Sequence, residues 1–369
     1  MVSYSDLVPE QTGDSTQLLQ NSETDDKMIK DRIPASTEIT PHKDPVSLTT
    51  ITDLRQNRKT RLKQLKPSPV IISAMVNDTR SGAETHVRKL TEDLKSESPE
   101  IIREAAFELR LLAKDEGNRI LIPSCGAITV LVDLLFSPDL IIQENAVTAI
   151  LNLSISDNNK LMIANSGAIE ALVHVLRTGT PGARENSAAT LTSLTKFDDN
   201  KIRIGKSGAI GPLVDLLENG TLQGKKDAAT ALFNLSTATV NRSSIIESGA
   251  VKHLIGLMDP ALGMVDRATV VLANLATVPE GRTAIAQAGG IPLLVEAIEL
   301  GSPRGKENAA AALSHFCSDS NKYCRKVLDE GAGPPLVALS LSGTPRAKEK
   351  AIKTLSHLRN LQRVYGSRD

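Results

Sequence analysis

Six side chains able to make directed hydrogen bonds stand at nearly equal intervals along the chain: Asn152, Ser193, Asn234, Asn274, His315 and His357, with Leu111 one step earlier in the same register. From Leu111 onward the steps are 41, 41, 41, 40, 41 and 42 residues. A side-chain amide offers one acceptor and two donors, the complement of an extended peptide backbone, and each net hydrogen bond contributes about 0.5–1.5 kcal/mol. Such a row can hold an unstructured segment of another protein. Alternatively, its members bond to their own helices and to neighbouring loops, and stabilise the chain from within. His315 and His357 lie a full period apart, too far for one metal ion, and no further ligand accompanies them. Neither a metal nor another cofactor is expected.

A second column lies nine residues before the first. It carries Arg184, Lys225, Lys306 and Lys348, followed by Glu185, Lys226, Glu307 and Glu349. A basic rim could steer an acidic partner, but the adjacent carboxylates offset much of it, and exposed charges contribute little individually. A solvated face of mixed charge is the competing reading. A third column, four residues before the first, holds Thr148, Ala189, Thr230, Val270, Ala311 and Lys353.

Columns of this kind need elements that repeat with the same period, and the glycines mark them. Gly126-Ala127-Ile128, Gly167-Ala168-Ile169, Gly208-Ala209-Ile210, Gly249-Ala250-Val251, Gly289-Gly290-Ile291 and Gly331-Ala332-Gly333 follow one another at 41, 41, 41, 40 and 42 residues. In the unit of residues 159–200, Asn159 precedes a short apolar helix over 160–165, Gly167 supplies a turn, and a second helix runs over 169–177. Gly179-Thr180-Pro181-Gly182 then breaks the chain before a longer third helix over 184–196, whose Ala188, Ala189, Leu191 and Leu194 face neighbouring helices. Asn118, Asn159, Asn200, Asn241 and Asn321, with Gly281 in one unit, occupy the place before the first helix and read as N-caps. Pro212, Pro292 and Pro335 sit at the start of second helices, where a missing N–H costs nothing.

Three helices in about 41 residues define an armadillo type of repeat. Seven units are expected: 82–125, beginning at a Gly82 corner, then 126–166, 167–207, 208–248, 249–288, 289–330 and 331–363. The fold class is therefore all-α, a right-handed superhelical armadillo-repeat solenoid over residues 82–363, followed by a short tail over 364–369. Both end units are more charged than the rest, as units that cap a core against water should be. Residues 1–81 contain many Ser, Thr, Asp and Pro and lack sustained helical spacing, so a disordered segment is expected there. Within it Arg55, Arg58, Lys59, Arg61, Lys63 and Lys66 occupy a stretch without an acidic residue, readable as a nuclear-import or acidic-partner signal or as a solvated linker.

Composition narrows the function. Lys plus Arg and Asp plus Glu both number 43 in 369 residues, so no whole-chain field draws nucleic acid or an anionic membrane. Aromatic residues are 2% and Trp is absent, leaving Ala, Leu, Ile and Val to fill the interior. Cys125, Cys317 and Cys324 form neither a disulfide framework nor a zinc spacing. No apolar run reaches the length of a membrane span, and the N-terminus has no secretory signal. The expectation is a reduced, soluble protein of the cytoplasm and/or nucleus. No phosphate-binding glycine loop, paired metal histidines or nucleophile–base arrangement is present. A non-enzymatic binding protein is expected, with no small-molecule substrate.

The stretches Gln143-Glu144-Asn145-Ala146-Val147, 225–236 (Lys225-Lys226-Asp227 through Asn234-Leu235-Ser236), 305–313 and Met258-Asp259-Pro260 resemble the armadillo region of plant U-box ubiquitin ligases over about residues 85–360. The resemblance implies that third helices line the concave face, and that the array recognises substrates or regulatory partners while a separate U-box recruits the ubiquitin-conjugating enzyme. Residues 1–80 offer only Asp44-Pro45-Val46 of a U-box pattern, so ligase activity is not carried over with the resemblance. The functional expectation is a protein-interaction scaffold holding a partner segment in the groove, in plant signalling or ubiquitin-linked regulation. The alternative is the substrate-recognition part of a U-box ligase system. A kinase, a receptor or a ubiquitination component are the partner classes it implies. Armadillo proteins that import nuclear cargo pair a Trp four residues before the ladder Asn, a grip unavailable to a chain without Trp.

Overall fold

The computed structural model describes residues 69–366, with side chains from Ser81 onward except at Asp319 and over 364–366. The expectations placed on residues 1–68, including the basic stretch 55–66 and Asp44-Pro45-Val46, lie outside the described residues. The described chain is helical throughout, and the period read from the glycines sets its order.

After α1 (Pro69–Asp93) and α2 (Pro99–Leu112), the three-helix unit repeats. The short first helices are α3 (Asn118–Ser124), α6 (Asp157–Asn165), α9 (Asp198–Lys206), α12 (Arg242–Glu247), α15 (Pro279–Gln287) and α18 (Asn321–Asp329). Second helices are α4 (Ala127–Asp133), α7 (Ala168–Thr178), α10 (Ile210–Asn219), α13 (Ala250–Gly256), α16 (Gly290–Leu300) and α19 (Gly333–Ser342). Third helices are α5 (Leu140–Leu153), α8 (Pro181–Leu194), α11 (Leu222–Thr237), α14 (Val265–Leu275), α17 (Pro303–Asp319) and α20 (Pro345–Gly366). From α2 onward each third-type helix packs on the next, and every one except α2 also packs on the second helix of its own unit. This continuous stacking leaves Ala188, Leu191 and Leu194 of α8 without solvent exposure. A unit that buries its apolar stripe only against its neighbours has no core of its own.

All six corner glycines take φ between 76° and 82°. A β-carbon added at Gly167 would meet no atom within 4 Å, so the left-handed backbone, and not lack of room, selects glycine there. The first unit differs from expectation. Gly82 lies inside α1, which runs unbroken from residue 69 to 93, so no corner forms and the opening unit consists of two helices.

Two boundary readings are corrected by the caps. Pro181 is the first residue of α8, because Thr180 is its N-cap and accepts from the Ala183 N–H at 3.1 Å; the break is thus limited to residues 179–180. The Asn column does not cap the helix that follows it. Asn159 is the third residue of α6, and its Nδ2 donates to Leu153 O at the end of the preceding third helix and to Arg119 O of the preceding repeat. Asn118, Asn200 and Asn241 likewise donate to Leu112 O, Leu194 O and Leu235 O. These amides satisfy carbonyls that a helix C-terminus leaves open. Gly281 departs from the column because a β-carbon there would fall 1.9 Å from Leu275 O; Arg282 takes over and donates to Ala276 O at 2.9 Å.

The opposite ends of the third helices are stitched to one another. Each N-cap hydroxyl accepts from its own helix and donates to a carboxylate on the third helix of the preceding repeat. Thr180 pairs with Glu144 at 2.5 Å, Thr221 with Glu185, Ser302 with Asp266 at 2.7 Å, and Thr344 with Glu307 at 2.5 Å. At the first junction the same two positions hold Asp139 and Arg103 with the polarity reversed: the carboxylate caps α5, and Arg103 donates to it at 2.6 Å. The Arg103 hydrogen bond, ahead of the capping N–H groups, holds the Asp139 carboxyl below the usual carboxylate range. At the junction that would use residue 226, a lysine replaces the acid. The next third helix, α14, has Met264 at its N-cap position and no side-chain cap.

Three measurements test these assignments. Gly167→Ala is expected to lower unfolding free energy by about 1–2 kcal/mol in urea titration, whereas Gly211→Ala, inside α10 with nothing within 4 Å of the added carbon, raises it by about 0.5–1 kcal/mol. Thr180→Val is expected to cost about 1–2 kcal/mol, and a double-mutant cycle with Glu144→Ala to return a coupling of about 0.5–1 kcal/mol; additive losses would break the stitch. Because the Asp139 pKa is depressed on folding, its contribution is complete above the unfolded value of about 3.9 and is lost as pH falls through the folded value. Denaturant titrations between pH 6 and pH 2 are therefore expected to show a steeper loss for the wild type than for Asp139→Asn.

Candidate functional site

The ladder column lies on the third helices, one residue per repeat, as its spacing requires. Its members sit close to the repeat junctions, and their donors point along the array. Asn152, 3% exposed, donates through Nδ2 to Arg110 O at 3.1 Å. Ser193 donates to Ser154 O at 2.8 Å, Asn234 to Thr195 Oγ1 at 2.9 Å, and Asn274 to Ser236 Oγ at 2.9 Å. Every acceptor belongs to the preceding repeat. From Ser193 to Asn274 it lies two residues beyond that repeat's own ladder residue, at Ser154, Thr195 or Ser236.

Asn234 and Asn274 use the hydroxyl at that position, whereas Ser193 bonds the Ser154 backbone carbonyl and Asn152, preceded there by Ala113, bonds the Arg110 carbonyl. Ala276 and Cys317 stand there before His315 and His357, and there the amide gives way to imidazole. Both histidines are half-buried on their helices, in different repeats, so the structure does not bring them together. Among the described residues no group of three or more His, Cys, Asp or Glu is placed to hold a metal ion.

The amide donors are thus committed between repeats, while Asn152 and Asn274 keep Oδ1 atoms with no protein partner among the described residues. The polarity left for an incoming backbone is that of an acceptor, able to receive a peptide N–H.

The basic rim column divides in two. Arg184 donates through Nε to Leu176 O at 2.8 Å and pairs with Asp215, and Lys306 donates to Glu299 O at 2.8 Å. Both close the C-terminal end of the second helix in their own unit, the role that Gln143 fills one unit earlier at Leu135 O. Lys225 and Lys348 have no side-chain partner among the described residues and stay half-buried at the same edge. Beside Arg184 and Lys306, Glu185 and Glu307 accept the hydroxyl stitches from Thr221 and Thr344.

Sequence reasoning missed the start of the column four residues before the ladder. Stepping 41 back from Thr148 reaches Phe107, 46% exposed, with the Arg110 guanidinium 4.9 Å above its ring centroid. Further along the same face Leu151, Ile155 and Ala189 form a small apolar cluster separate from the main core.

Comparison with known proteins places this geometry. The family model described as plant U-box protein ARM repeat region matches residues 86–363. U-box domain-containing protein 4 of Arabidopsis thaliana is 76% identical over 258 residues, 69% of this chain and 31% of that protein. U-box domain-containing protein 3 of the same plant is 52% identical over 330 residues, 89% of this chain and 41% of that protein. The chain therefore spans well under half the length of these relatives. An engineered protein of known crystal structure aligns with a TM-score of 0.65 at 28% identity, over 74% of this chain and 68% of its own. A designed armadillo repeat protein in complex with the peptide (KR)4 aligns with a TM-score of 0.56 at 22% identity over 63% of this chain and 99% of its own, a likeness of fold alone. The stacked three-helix units and the extent of these matches give one conclusion: the chain belongs to the plant U-box protein ARM repeat family, whose repeat region is a non-catalytic protein-interaction fold.

Proposed function

We propose that the array holds an extended segment of another protein along the concave face of its third helices, in plant signalling or ubiquitin-linked regulation in the cytoplasm and/or nucleus. The observation that carries this reading is the row of ladder residues at one per repeat, in which the Asn152 and Asn274 carbonyl oxygens are left without a protein partner. A backbone N–H of a bound segment supplies what these oxygens lack. Asn234, Ser193, His315 and His357 continue the same line, and Lys225 and Lys348 stand at its edge with side chains not engaged by the array.

A second reading rests on the extent of one likeness. The match to U-box domain-containing protein 3 covers 330 residues, more than the 298 described here, so it reaches beyond the repeats. In that reading the array is the substrate-recognition part of a U-box ligase system.

Affinity capture from plant extract with the 369-residue chain, compared with a variant carrying Asn234→Ala and Asn274→Ala, tests the groove. Because each amide also joins two repeats, every substitution is expected to cost about 1 kcal/mol of stability, so capture is compared at a temperature where circular dichroism shows both proteins folded. A several-fold loss of captured partner is expected; equal recovery would remove the ladder from the binding surface. Fusing the U-box of a relative ahead of residue 1 then separates the two readings. With ubiquitin, its activating enzyme and its conjugating enzyme present, a captured partner that becomes ubiquitinated supports substrate recognition, and one left unmodified supports a scaffold.

A further inference from the structure

The first third-type helix does not resemble the others on the groove side. At the two positions that elsewhere hold small or polar residues, α2 carries Phe107 and Leu111, 46% and 41% exposed. The corresponding pairs in the next three repeats are Thr148 and Asn152, Ala189 and Ser193, then Thr230 and Asn234, all buried or half-buried. Phe107 and Leu111 are one turn apart and share a face. Leu151, Ile155 and Ala189 of the next two repeats form a small buried apolar cluster and add no exposed surface to this face.

The charges around this platform are arranged by sign. Arg110 lies against the Phe107 ring, its Nε is buried without a hydrogen-bond partner, and it forms no ion pair among the described residues. Lys114, one turn further along, also has no side-chain partner among the described residues. Of the acids of α2 near this face, Glu104 is exposed one turn before Phe107 on the same side of the helix, and Glu108 bonds His86 of α1 at 2.7 Å. Arg103 is committed to Asp139. An apolar surface is thus bordered, toward the C-terminal end of α2, by two cations that form no ion pair among the described residues, with Asp115 and Glu116 following Lys114 in the next turn.

Resting on the groove reading above, we propose that the Phe107–Leu111 face, with Arg110 and Lys114, is an anchor subsite for a partner peptide bearing a large apolar side chain next to a carboxylate side chain. The apolar group lies on Phe107 and Leu111, and the carboxylate meets the Arg110 guanidinium, whose planar fork suits bidentate pairing and is already stacked in place. Aromatic and arginine side chains that become fully desolvated dominate binding energy at interfaces, and this subsite places one of each side by side. The carboxylate is oriented away from Glu104, which fixes the direction of the bound segment.

A phage-displayed library of random dodecapeptides, selected on the 369-residue chain, tests the subsite. Enriched peptides are expected to carry Asp or Glu within two residues of Phe, Leu, Ile or Met. Measured by fluorescence anisotropy, their synthetic versions are expected to bind at least about tenfold more weakly to Phe107→Ser and to Arg110→Glu, both exposed or half-buried sites at which circular dichroism should remain that of the wild type. Enriched peptides that are basic, or that bind these variants as well as the wild type, would overturn the proposal. Peptides insensitive to Phe107→Ser but lost with Asn234→Ala and Asn274→Ala would overturn the anchor while leaving the groove reading intact. A library yielding no binder would remove both. A wild-type dimer in sedimentation that Phe107→Ser dissolves would assign the patch to self-association and overturn the proposal as well.

Discussion

The ends of the third helices are the constraint on which this array depends. An α-helix leaves four N–H groups and four carbonyls open, and stacking helices side by side buries many of them without supplying partners. Here the partners come from adjoining repeats or adjoining helices. At the N-terminal ends a hydroxyl caps its own helix and reaches back to the previous repeat's carboxylate, as at Thr180 and Glu144. At the C-terminal ends the Asn column reaches back to carbonyls, as at Asn159 and Leu153. The apolar stripes drive association without direction, whereas these bonds fix how far one repeat is shifted along the next.

That constraint also explains why the candidate groove is lined as it is. An amide row at the repeat junctions joins the repeats through its nitrogens, and at Asn152 and Asn274 the Oδ1 atoms have no protein partner among the described residues. The switch from Asn to His at positions 315 and 357 coincides with loss of a hydroxyl at the acceptor position of the repeat before, Ala276 and Cys317. The coincidence is not general, since Ala113 also lacks a hydroxyl and Asn152 after it bonds the Arg110 carbonyl instead.

The features fixed by local backbone chemistry were legible in the sequence. Glycine returning every 41 residues marks a left-handed corner because no other residue adopts that backbone so cheaply, and all six corners have it. Features that depend on what lies across a junction were not. Asn159 has a residue type equally suited to capping the helix that follows or the one that precedes, and only three-dimensional neighbours decide which. Gly82 resembles a corner in composition, yet α1 continues through it from residue 69 to 93. Phe107 could have been found by extending its column one period toward the N-terminus; it breaks the polar pattern that defines the column, which is also why it matters.

The junction between the fourth and fifth repeats shows how the array tolerates losing one of its ties. Lys226 removes the carboxylate, the period shortens to 40, and the turn through Pro260–Leu262 precedes the shortest of the third helices, α14. A cavity of about 430 Å³ opens beside it, between Met258, Val265 and Leu300. At the other end of the same helices Arg242 crosses the junction, donating to Thr277 Oγ1 at 2.7 Å in the fifth repeat while its Nε holds Ser236 O in its own. The guanidinium reaches both acceptors at once through separate N–H groups of its fork. At this junction the directed connection lost at the N-terminal edge is replaced at the C-terminal edge, where Arg242 reaches Thr277 beside the Asn274–Ser236 bond.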